Sequence, residues 1–340
     1  MNRERPLIGI SAGDPAGIGP EIAARALNLK EIYEICRPLV VCDLHVMNEA
    51  VRFSGLTLET RGIQHPEEGR YVSGTVDVLD MKNVDMEKLA YKKVTAMTGK
   101  ASFEYIEKVI KMALAGEIDA TVTGPIHKEA INAAGYHYAG HTEIYGKLTG
   151  TRDYAMMLAD GNFRVIHVST HVSLRQAVER VKKERISTVC RLAHDTLRKI
   201  GIAEPRIAVA GLNPHAGEGG LFGTEEIDEI IPAIERAVGE GMRVEGPIPG
   251  DTVFSKMMGG QYDIVVVMYH DQGHIPTKLA GFKFDQKTNT WLSMSGVNVT
   301  LGLPIIRCSV DHGVAFGKAG EGRANPQSMI QAIKMAVQLV

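Results

Sequence analysis

The chain alternates between short, continuous apolar runs and longer segments in which apolar residues recur with helical spacing. Runs such as LIGIS near the start and RIAVAG in the second half are typical of strands buried on both faces. Phe103, Ile106, Ile110 and Leu114 instead recur every three to four residues and predict an amphipathic helix. This alternation favours a mostly parallel sheet with helices covering both of its faces.

Helix signals mark several other elements. Pro20 suits the first turn of a helix that follows GDPAGIG, and a stripe ending at Ile200 is closed by Gly201. Thr224 opens a helix with acidic residues in its first turn, and a final helix is expected to begin near Pro326. Each predicted helix lies between predicted strands or ends the chain.

The composition limits the kinds of molecule that the protein is expected to bind. The 340 residues carry a formal net charge of −2 and no Lys/Arg run, so we expect no nucleic-acid partner. The longest apolar runs have only strand length, and MNRERP passes directly into LIGIS, so we expect neither a membrane span nor a secretory signal. Four scattered cysteines without a CxxC motif indicate reduced thiols, and we expect a cytoplasmic protein that binds small molecules.

Three histidines follow the carboxyl ends of three separate predicted strands. FRVIHVST runs into His171, RIAVAGLNP into His215, and YDIVVVMY into His270. A parallel sheet brings such strand ends to one rim, where ligands bind. Neutral imidazoles suit Zn²⁺ and similar divalent ions, and three protein ligands leave positions open for a substrate. The alternative for any single histidine is an ordinary surface or hydrogen-bonded core residue.

The stretch VVVMYHDQGHIPTK places several titratable side chains directly after a buried strand. Lys278 is the preferred acid/base candidate, and Asp251, which follows the turn-rich GPIPG, is a second one. The alternative for Asp251 is an N-cap of the helix that TVFSKM predicts. His167, inside its strand, is expected to be structural, whereas His274 fits either role.

Two glycine-rich stretches are less specific. GDPAGIG before a helix can offer N–H groups to an anion or can form a tight turn. The tail DHGVAFGKAGEGRANP can approach a nucleotide closely, although glycines alone establish only an irregular backbone.

Many ordered motifs resemble one enzyme family. SAGDPAGIGPE, TGPIHKEAI, GHTE, LNPHAGEGGLFG, GPIPGDTVF, YHDQG, GVNVTLGLPIIR and SVDHG closely resemble the 4-hydroxythreonine-4-phosphate dehydrogenase family, and they extend over nearly the whole chain. The resemblance implies two α/β/α domains with a cleft between them, in a fold like that of isocitrate and isopropylmalate dehydrogenases. It places residues 1–127 with 300–340 in the first domain and 128–299 in the second.

The resemblance also implies a homodimer in which metal ligands are shared across the interface. Residues at the positions of His171, His215 and His270 hold a divalent ion, which agrees with the strand-end argument. The family's substrate contacts correspond to His141, Thr142, Lys278, Asn298 and Arg307. The tail is similar to the loop that holds the nicotinamide dinucleotide in the wider group, and its candidate cofactor residues are Gly313, Gly317, Gly320, Gly322 and Asn325.

Two of these residues have structural alternatives. Thr142 can simply cap a helix. Arg307 lies in the apolar strand sequence LGLPIIRCSV, where a buried arginine without a partner would be expensive, so we expect it to pair with an anion.

The activity implied is oxidation and decarboxylation of a phosphorylated four-carbon hydroxy acid, dependent on NAD and on Zn²⁺, Mg²⁺ or Co²⁺. The metal would lower the pKa of the substrate hydroxyl for Lys278 to deprotonate, hydride would pass to NAD⁺, and the β-keto acid would lose CO₂. VIHVSTHVSLR and YHDQGHIPTK look more like the 4-phospho-D-threonate and 4-phospho-D-erythronate branch.

Other activities stay open at this point. Within the family, the alternative substrate is 4-phosphohydroxy-L-threonine, on the route to pyridoxal phosphate. A non-catalytic protein that binds sugar-acid phosphates is the alternative of another class. A metal-dependent phosphotransferase is weaker, because the chain has neither a Walker A loop nor a kinase signature.

One segment departs from the family's pattern. Between Gly281 and Gly296 the chain has FKFDQKTNTWLSMS, which is longer than the family's usual spacing and contains the only tryptophan, Trp291. A lid or an interface arm is the expected role of this insertion.

Overall fold

The computed structural model describes residues 5–286, 290–294 and 296–340, and it divides the chain into two compact units. The first unit contains the described residues up to Arg152 together with Leu303–Gln338, and the second contains Asp153–Gly302. The first unit is therefore built from two separate stretches of chain, and the second from one.

Fourteen strands are formed by the described residues. They are β1 Leu7–Ser11, β2 Arg37–Cys42, β3 Glu59–Ile63, β4 Thr75–Asp80, β5 Ala120–Thr123, β6 Ala155–Asp160, β7 Phe163–His167, β8 Arg206–Ala210, β9 Arg243–Ile248, β10 Ile264–Val267, β11 Phe282–Asp285, β12 Thr290–Met294, β13 Val297–Leu301 and β14 Ile306–Val310.

Twelve α-helices accompany these strands in the same part of the chain. They are α1 Gly19–Leu27, α2 Lys30–Ile35, α3 Leu44–Phe53, α4 Ala96–Leu114, α5 Lys128–Ala133, α6 His141–Leu148, α7 Leu174–Glu179, α8 Lys183–Lys199, α9 Ile231–Gly239, α10 Val253–Met258, α11 His270–Gly281 and α12 Gln327–Leu339.

The sheet of the first unit has six parallel strands in the order β3-β4-β2-β1-β5-β14. All five residues of the central strand β1 are buried, as are the last five of β2. Helices that cover both faces of a parallel sheet remove its strands from water, which explains why these strands are continuous apolar runs.

The sheet of the second unit has the order β13-β6-β7-β10-β8-β9. β7, β10, β8 and β9 are parallel, whereas β6 runs antiparallel to both β7 and β13. β10 lies between β7 and β8, so the three strands that precede His171, His270 and His215 are immediate neighbours. The predicted convergence of these strand ends is confirmed at the level of topology.

The segment 128–152 packs with the first unit, whereas the sequence-based division placed it in the second domain. Ile144 and Tyr145 of α6 join Phe103 and Ile106 of α4 in one buried cluster. The close approach of α4 and α5 leaves no room for a side chain at Gly99, where a Cβ would lie 1.9 Å from the Ala130 carbonyl oxygen. The second unit accordingly begins at Asp153 rather than at residue 128.

The inserted segment forms an antiparallel hairpin of β11 and β12, in which Phe282 pairs with Met294. The side chain of Trp291 lies outside the described residues, and the expected role of the hairpin as a lid or interface arm stays a prediction. All four cysteines are buried free thiols. In the part of the chain that the structure describes, no helix is both long and apolar enough to cross a bilayer.

Candidate functional site

The stretch that follows β10 forms a helix. Tyr269 has extended φ/ψ angles at the N-cap, and α11 begins at His270. Residues four apart lie on one face of a helix, so His270, His274 and Lys278 share a face. This spacing explains why two histidines and a lysine recur within nine residues. The helix is hard to predict from the sequence because it contains Gly273 and Pro276, which are unfavourable in a helix interior.

Three imidazoles of the second unit form what we call the histidine stack: His167, His270 and His274. The rings of His270 and His274 are parallel within 11°, with centroids 3.6 Å apart, and the His274 ring lies 4.9 Å from that of His167. The His274 Nδ1–H donates to the His270 carbonyl oxygen at 3.0 Å. The His167 Nδ1–H donates to the Met156 carbonyl oxygen at 3.0 Å. The stack therefore anchors the His270 ring to a buried strand.

Burial keeps two members of the stack neutral. Together with the smaller effect of the neighbouring imidazoles, it lowers the pKa of His167 to about 4 and that of His274 to about 3. At neutral pH both rings are uncharged, so they do not repel a cation bound beside them. The expectation that His167 is structural agrees with its position, buried inside β7.

His171 and His270 line one pocket of about 540 Å³ with Asp271. Their ring centroids are 5.7 Å apart. The His270 Nδ1–H donates to Asp271 Oδ1 at 2.7 Å, a bond that lowers the pKa of the Asp271 carboxyl. It leaves Nε2 as the nitrogen for a metal, and a carboxylate behind a metal-binding imidazole is the usual arrangement. These two histidines therefore fit a divalent ion.

His215 lies apart from this pair in its own turn. Its Nδ1 is 3.9 Å from a Glu218 carboxylate oxygen, and its ring centroid is 6.4 Å from that of Phe222. Among residues 5–286, 290–294 and 296–340, no group of three or more histidine, cysteine or acidic side chains is placed to hold a metal ion. One chain thus brings together two of the three expected ligands, and the metal assignment stays a prediction.

The other candidates of the second unit occupy different surroundings. Lys278 is exposed, with its Nζ 5.6 Å from the centroid of the Phe282 ring. Asp251 is also exposed, and it does not cap α10, because that helix has Thr252 at its N-cap. Asn298 on β13 donates to the Met156 sulfur, and its buried Oδ1 has no partner among the described residues. Of these three, Asn298 is the one with an unused buried acceptor.

The first unit holds a cluster of titratable side chains around the start of α6, formed by Arg307, Lys128, His141 and Glu143. Arg307 on β14 is 2% exposed, donates from Nη2 to Thr123 Oγ1 at 3.1 Å, and lies 5.5 Å from the centroid of the Tyr145 ring. His141 is the first residue of α6, and Thr142 is the second. Gly140 occupies the N-cap, so the alternative of Thr142 as the helix cap is wrong. A helix start beside a buried guanidinium suits an anion.

Charges and burial set the protonation of this cluster. Burial lowers the pKa of His141 well below its ordinary value, and the charges of Arg307 and Lys128 lower it further. His141 Nε2 is buried and has no partner among the described residues. Burial also lowers the pKa of Arg307, which starts high enough for the guanidinium to remain a cation. His141 is thus neutral and able to hydrogen-bond a ligand.

The tail glycines divide into two pairs. Gly320 and Gly322 have positive φ angles, and added Cβ atoms would lie 3.0 Å from the Tyr91 ring and 2.2 Å from the Phe53 carbonyl oxygen. These two are explained by the fold of the tail itself. Gly313 and Gly317 have open space where a side chain would be, which fits the close approach of a dinucleotide.

Asn325 and the GDPAGIG stretch have internal partners. Asn325 Oδ1 accepts from the Gln327 backbone N–H at 2.9 Å and so holds the start of α12. Within GDPAGIG, Asp14 Oδ1 accepts from the Ala16 N–H at 2.9 Å, and the whole stretch is buried. GDPAGIG therefore forms a tight, buried turn before α1.

Sequence reasoning missed Glu226, a buried carboxylate beside the turn that carries His215. It is 2% exposed and accepts three hydrogen bonds from Leu212 and Asn213. The sequence reads TEEIDE at this point, which is typical of a solvated helix start, and none of its four acidic residues is distinguished from the others.

The family described as "Pyridoxal phosphate biosynthetic protein PdxA" matches residues 34–336. Two curated relatives carry the name "Putative D-threonate 4-phosphate dehydrogenase". That of Symbiobacterium thermophilum is 46% identical over 98% of this chain and 96% of its own length. That of Oceanobacillus iheyensis is 44% identical over 99% of this chain and 98% of its own length. The chain belongs to the PdxA family.

Solved structures agree with this assignment. A 4-hydroxythreonine-4-phosphate dehydrogenase from Klebsiella pneumoniae is 41% identical, covers 98% of this chain and 99% of its own, and has a TM-score of 0.85. A β-decarboxylating dehydrogenase from Thermococcus kodakarensis shares the fold alone, at 15% identity and a TM-score of 0.52 over 97% of this chain and 82% of its own. The expected fold class, two α/β units of the isocitrate/isopropylmalate dehydrogenase type, is confirmed.

Proposed function

We propose that the protein is a dehydrogenase dependent on NAD and a divalent metal that oxidises and decarboxylates 4-phospho-D-threonate or 4-phospho-D-erythronate. Its relatives named for D-threonate 4-phosphate support the substrate class. The observation that carries the metal-dependent chemistry is the pocket in which His171 and His270 lie together, with Asp271 orienting the His270 ring.

His171, His215 and His270 would hold the metal. When bound there, a divalent ion supplies Lewis-acid stabilisation of negative charge on the substrate's oxygens. The chain's own contribution is to fix the ligands. Asp271 and the histidine stack hold His270 in one orientation, and the neutral state of His167 and His274 keeps positive charge away from the cation.

A homodimer completes the proposal. Ile275 and Leu279 are one turn apart on α11, the helix that begins at His270, and they are 65% and 82% exposed. Large apolar side chains clustered on a surface favour a protein interface. We propose that a second copy covers this face and that the third metal ligand is His215 of the partner subunit.

The anionic groups of the substrate are assigned to cationic and polar side chains. Arg307, with His141 and Thr142 at the start of α6, supports anion binding, since a buried guanidinium and helix N–H groups both favour negative charge. Asn298 offers a buried amide oxygen to a substrate hydroxyl. Lys278 accepts the proton of the hydroxyl that is oxidised. Asp251 is a second proton acceptor in the proposal.

NAD is assigned to the tail of the first unit. Gly313 and Gly317 leave open space along the backbone, and Gly320, Gly322 and Asn325 hold the tail's shape. NAD⁺ supplies the hydride acceptor for the oxidation.

A direct assay tests this function. Purified protein, stripped with EDTA and restored with Zn²⁺, Co²⁺ or Mg²⁺, is given NAD⁺ and each candidate acid while NADH and CO₂ are measured. We expect both products with 4-phospho-D-threonate or 4-phospho-D-erythronate, and loss of activity in the stripped protein. NADH formation that is unaffected by metal removal, or an absence of activity with every acid, contradicts the proposal.

The second candidate substrate is 4-phosphohydroxy-L-threonine. It is favoured by the 41% identity to the structure named for 4-hydroxythreonine-4-phosphate dehydrogenase. In the same assay, a higher kcat/KM for the L-threonine derivative than for either D-configured acid assigns the protein to that activity instead.

A further inference from the structure

The turn that carries His215 has an uncommon backbone. Six consecutive residues, 215–220, adopt left-handed conformations, with φ angles from 44° to 98°. Three of the six are not glycine: His215, Ala216 and Glu218 have φ angles of 52°, 54° and 44°. Residues with a Cβ disfavour this region, so a run of this kind persists only where surrounding contacts hold it. We call residues Pro214–Gly220 the left-handed turn.

Glu226 supplies these contacts from the π-helical turn Glu226–Ile230 that leads into α9. Its Oε1 accepts from the backbone N–H groups of Leu212 and Asn213 at 2.8 and 2.7 Å. Its Oε2 accepts from Asn213 Nδ2 at 2.8 Å. The carboxylate therefore holds the two residues through which the chain passes from β8 into the left-handed turn.

The turn also packs directly on the Glu226 carboxylate. A Cβ at Gly217 would lie 2.8 Å from Glu226 Oε2, so a side chain there would displace the carboxylate. Gly219, two residues later and also left-handed at a φ of 66°, has open space at the same point. Only one of these two glycines is thus required by contact with Glu226.

The donors to Glu226 are neutral N–H groups. Burial of a carboxylate is costly, and neutral donors offset that cost only in part. A carboxylate buried at the base of a strained turn indicates that the shape of the turn matters to the protein. The first left-handed residue of this turn is His215.

We propose that Glu226 is a positioning residue that holds the left-handed turn in the shape that makes His215 a metal ligand. The inference rests on the proposed function, in which His215 binds a divalent ion. Glu226 acts on the backbone before His215, whereas Asp271 orients the ring of His270 directly. Neither Glu226 nor the left-handed turn needs to touch the substrate for this role.

Cobalt binding to full-length, EDTA-stripped protein tests the proposal, because the absorption spectrum of Co²⁺ reports the number and type of its ligands. His215→Ala serves as the reference that removes the ligand itself. We expect Glu226→Ala to weaken Co²⁺ binding about 10- to 100-fold, the usual range for residues that support a ligand. Glu226→Gln is expected to fall between Glu226→Ala and the wild type, since its amide oxygen can still accept from Leu212 and Asn213.

A matched pair of glycine variants keeps the test independent of Glu226 itself. Gly217→Ala and Gly219→Ala both place a Cβ on a backbone of positive φ, with φ/ψ angles of 84°/−10° and 66°/23°, and only the first pushes on the carboxylate. We expect Gly217→Ala to weaken Co²⁺ binding about 10-fold more than Gly219→Ala. Equal effects of the two variants overturn the role of the carboxylate contact.

Amide hydrogen exchange of the metal-free protein gives a readout that needs no metal. In Glu226→Ala, the amides of Leu212 and Asn213 should exchange faster, while that of Val209 inside β8 should keep its protection. Unchanged exchange at Leu212 and Asn213 would overturn the role of Glu226 in holding this part of the backbone.

The reference variant separates the two possible failures. If His215→Ala binds Co²⁺ as the wild type does, the metal role of His215 is wrong, and this inference is overturned with it. If His215→Ala loses affinity while the Glu226 variants and Gly217→Ala retain it, the proposed function stands and only the inference is overturned.

Discussion

The assignment of Lys278 as the proton acceptor rests on the chemistry of its amine and not on its contacts in the structure. Lys278 lies two turns after His270 on the same face of α11 and is exposed. We predict that Lys278→Ala lowers kcat by about 10²-fold or more, the scale expected when an acid/base group is removed. Steady-state NADH formation measures the effect. Lys256→Ala, an exposed lysine in the last turn of α10, is the control, and a near-normal rate for Lys278→Ala would exclude this lysine from proton transfer.

His167 should make stability depend on pH in the mildly acidic range. Its pKa is about 4 in the folded protein and near the ordinary value of about 6.5 in the unfolded chain. Between these values only the unfolded chain binds the proton, so the free energy of unfolding falls as pH decreases, by about 1.4 kcal/mol per pH unit for this group. Above about pH 6.5 the contribution of His167 no longer changes.

Urea unfolding at pH 7, 6 and 5 in EDTA measures this dependence. We predict that His167→Gln flattens the slope between pH 6 and 5 by about 1.4 kcal/mol per pH unit. His137→Gln replaces an exposed histidine and should leave the slope unchanged. Equal slopes in His167→Gln and the wild type would mean that His167 is protonated in the folded protein as readily as in the unfolded chain.

At the residue scale, the predictable part of the site was the part that strand ends dictate. His171, His215 and His270 each follow a strand, and these three parallel strands are neighbours in the sheet. Because the carboxyl ends of such strands meet at one edge, the sequence alone could predict that the three histidines share that edge. Glu226 was not predictable. Its importance comes from a left-handed backbone at residues 215–220, and the four acidic residues of TEEIDE have the same appearance in the sequence.

At the element scale, α11 shows why local propensity misleads at a functional site. Glycine and proline in a helix interior are each unfavourable, so HDQGHIPTK has little helical signal. The helix forms because its buried face packs on β7, where Gly273 lies against the His167 ring. The strands, in contrast, were predictable, since burial on both faces produces the apolar runs that are read directly from the sequence.

A substitution at Gly273 tests this packing. A Cβ there would lie 2.5 Å from His167 Nε2 and 2.9 Å from a methyl group of Val267. We predict that Gly273→Ala lowers the free energy of unfolding by about 1–3 kcal/mol, the usual cost of overpacking a core, although alanine is the better helix former. Gly239→Ala, at the open end of α9, should be neutral or stabilising by up to about 1 kcal/mol. Equal stability of the two variants would contradict the close contact.

At the scale of the whole molecule, the two-unit organisation was predictable and its boundary was not. Alternating strands and helices indicate α/β architecture wherever they occur, but they do not say which sheet a helix covers. The segment 128–152 illustrates this, because it packs with the first unit through the contacts of Ile144 and Tyr145 with Phe103 and Ile106. Such pairings join residues about 40 positions apart and leave no local signal.

Dimerisation is the prediction that connects the whole molecule to its metal site. If a second copy covers Ile275 and Leu279 and contributes the third ligand, Leu279→Glu should shift the protein from dimer to monomer in sedimentation velocity experiments. The same variant should bind Co²⁺ more weakly, because a monomer assembles only His171 and His270. Leu114→Glu changes another exposed helical leucine, in the first unit, and should alter neither property. A Leu279→Glu protein that stays dimeric would place the interface elsewhere, whereas a wild-type monomer with full metal affinity would show that a single chain supplies every ligand.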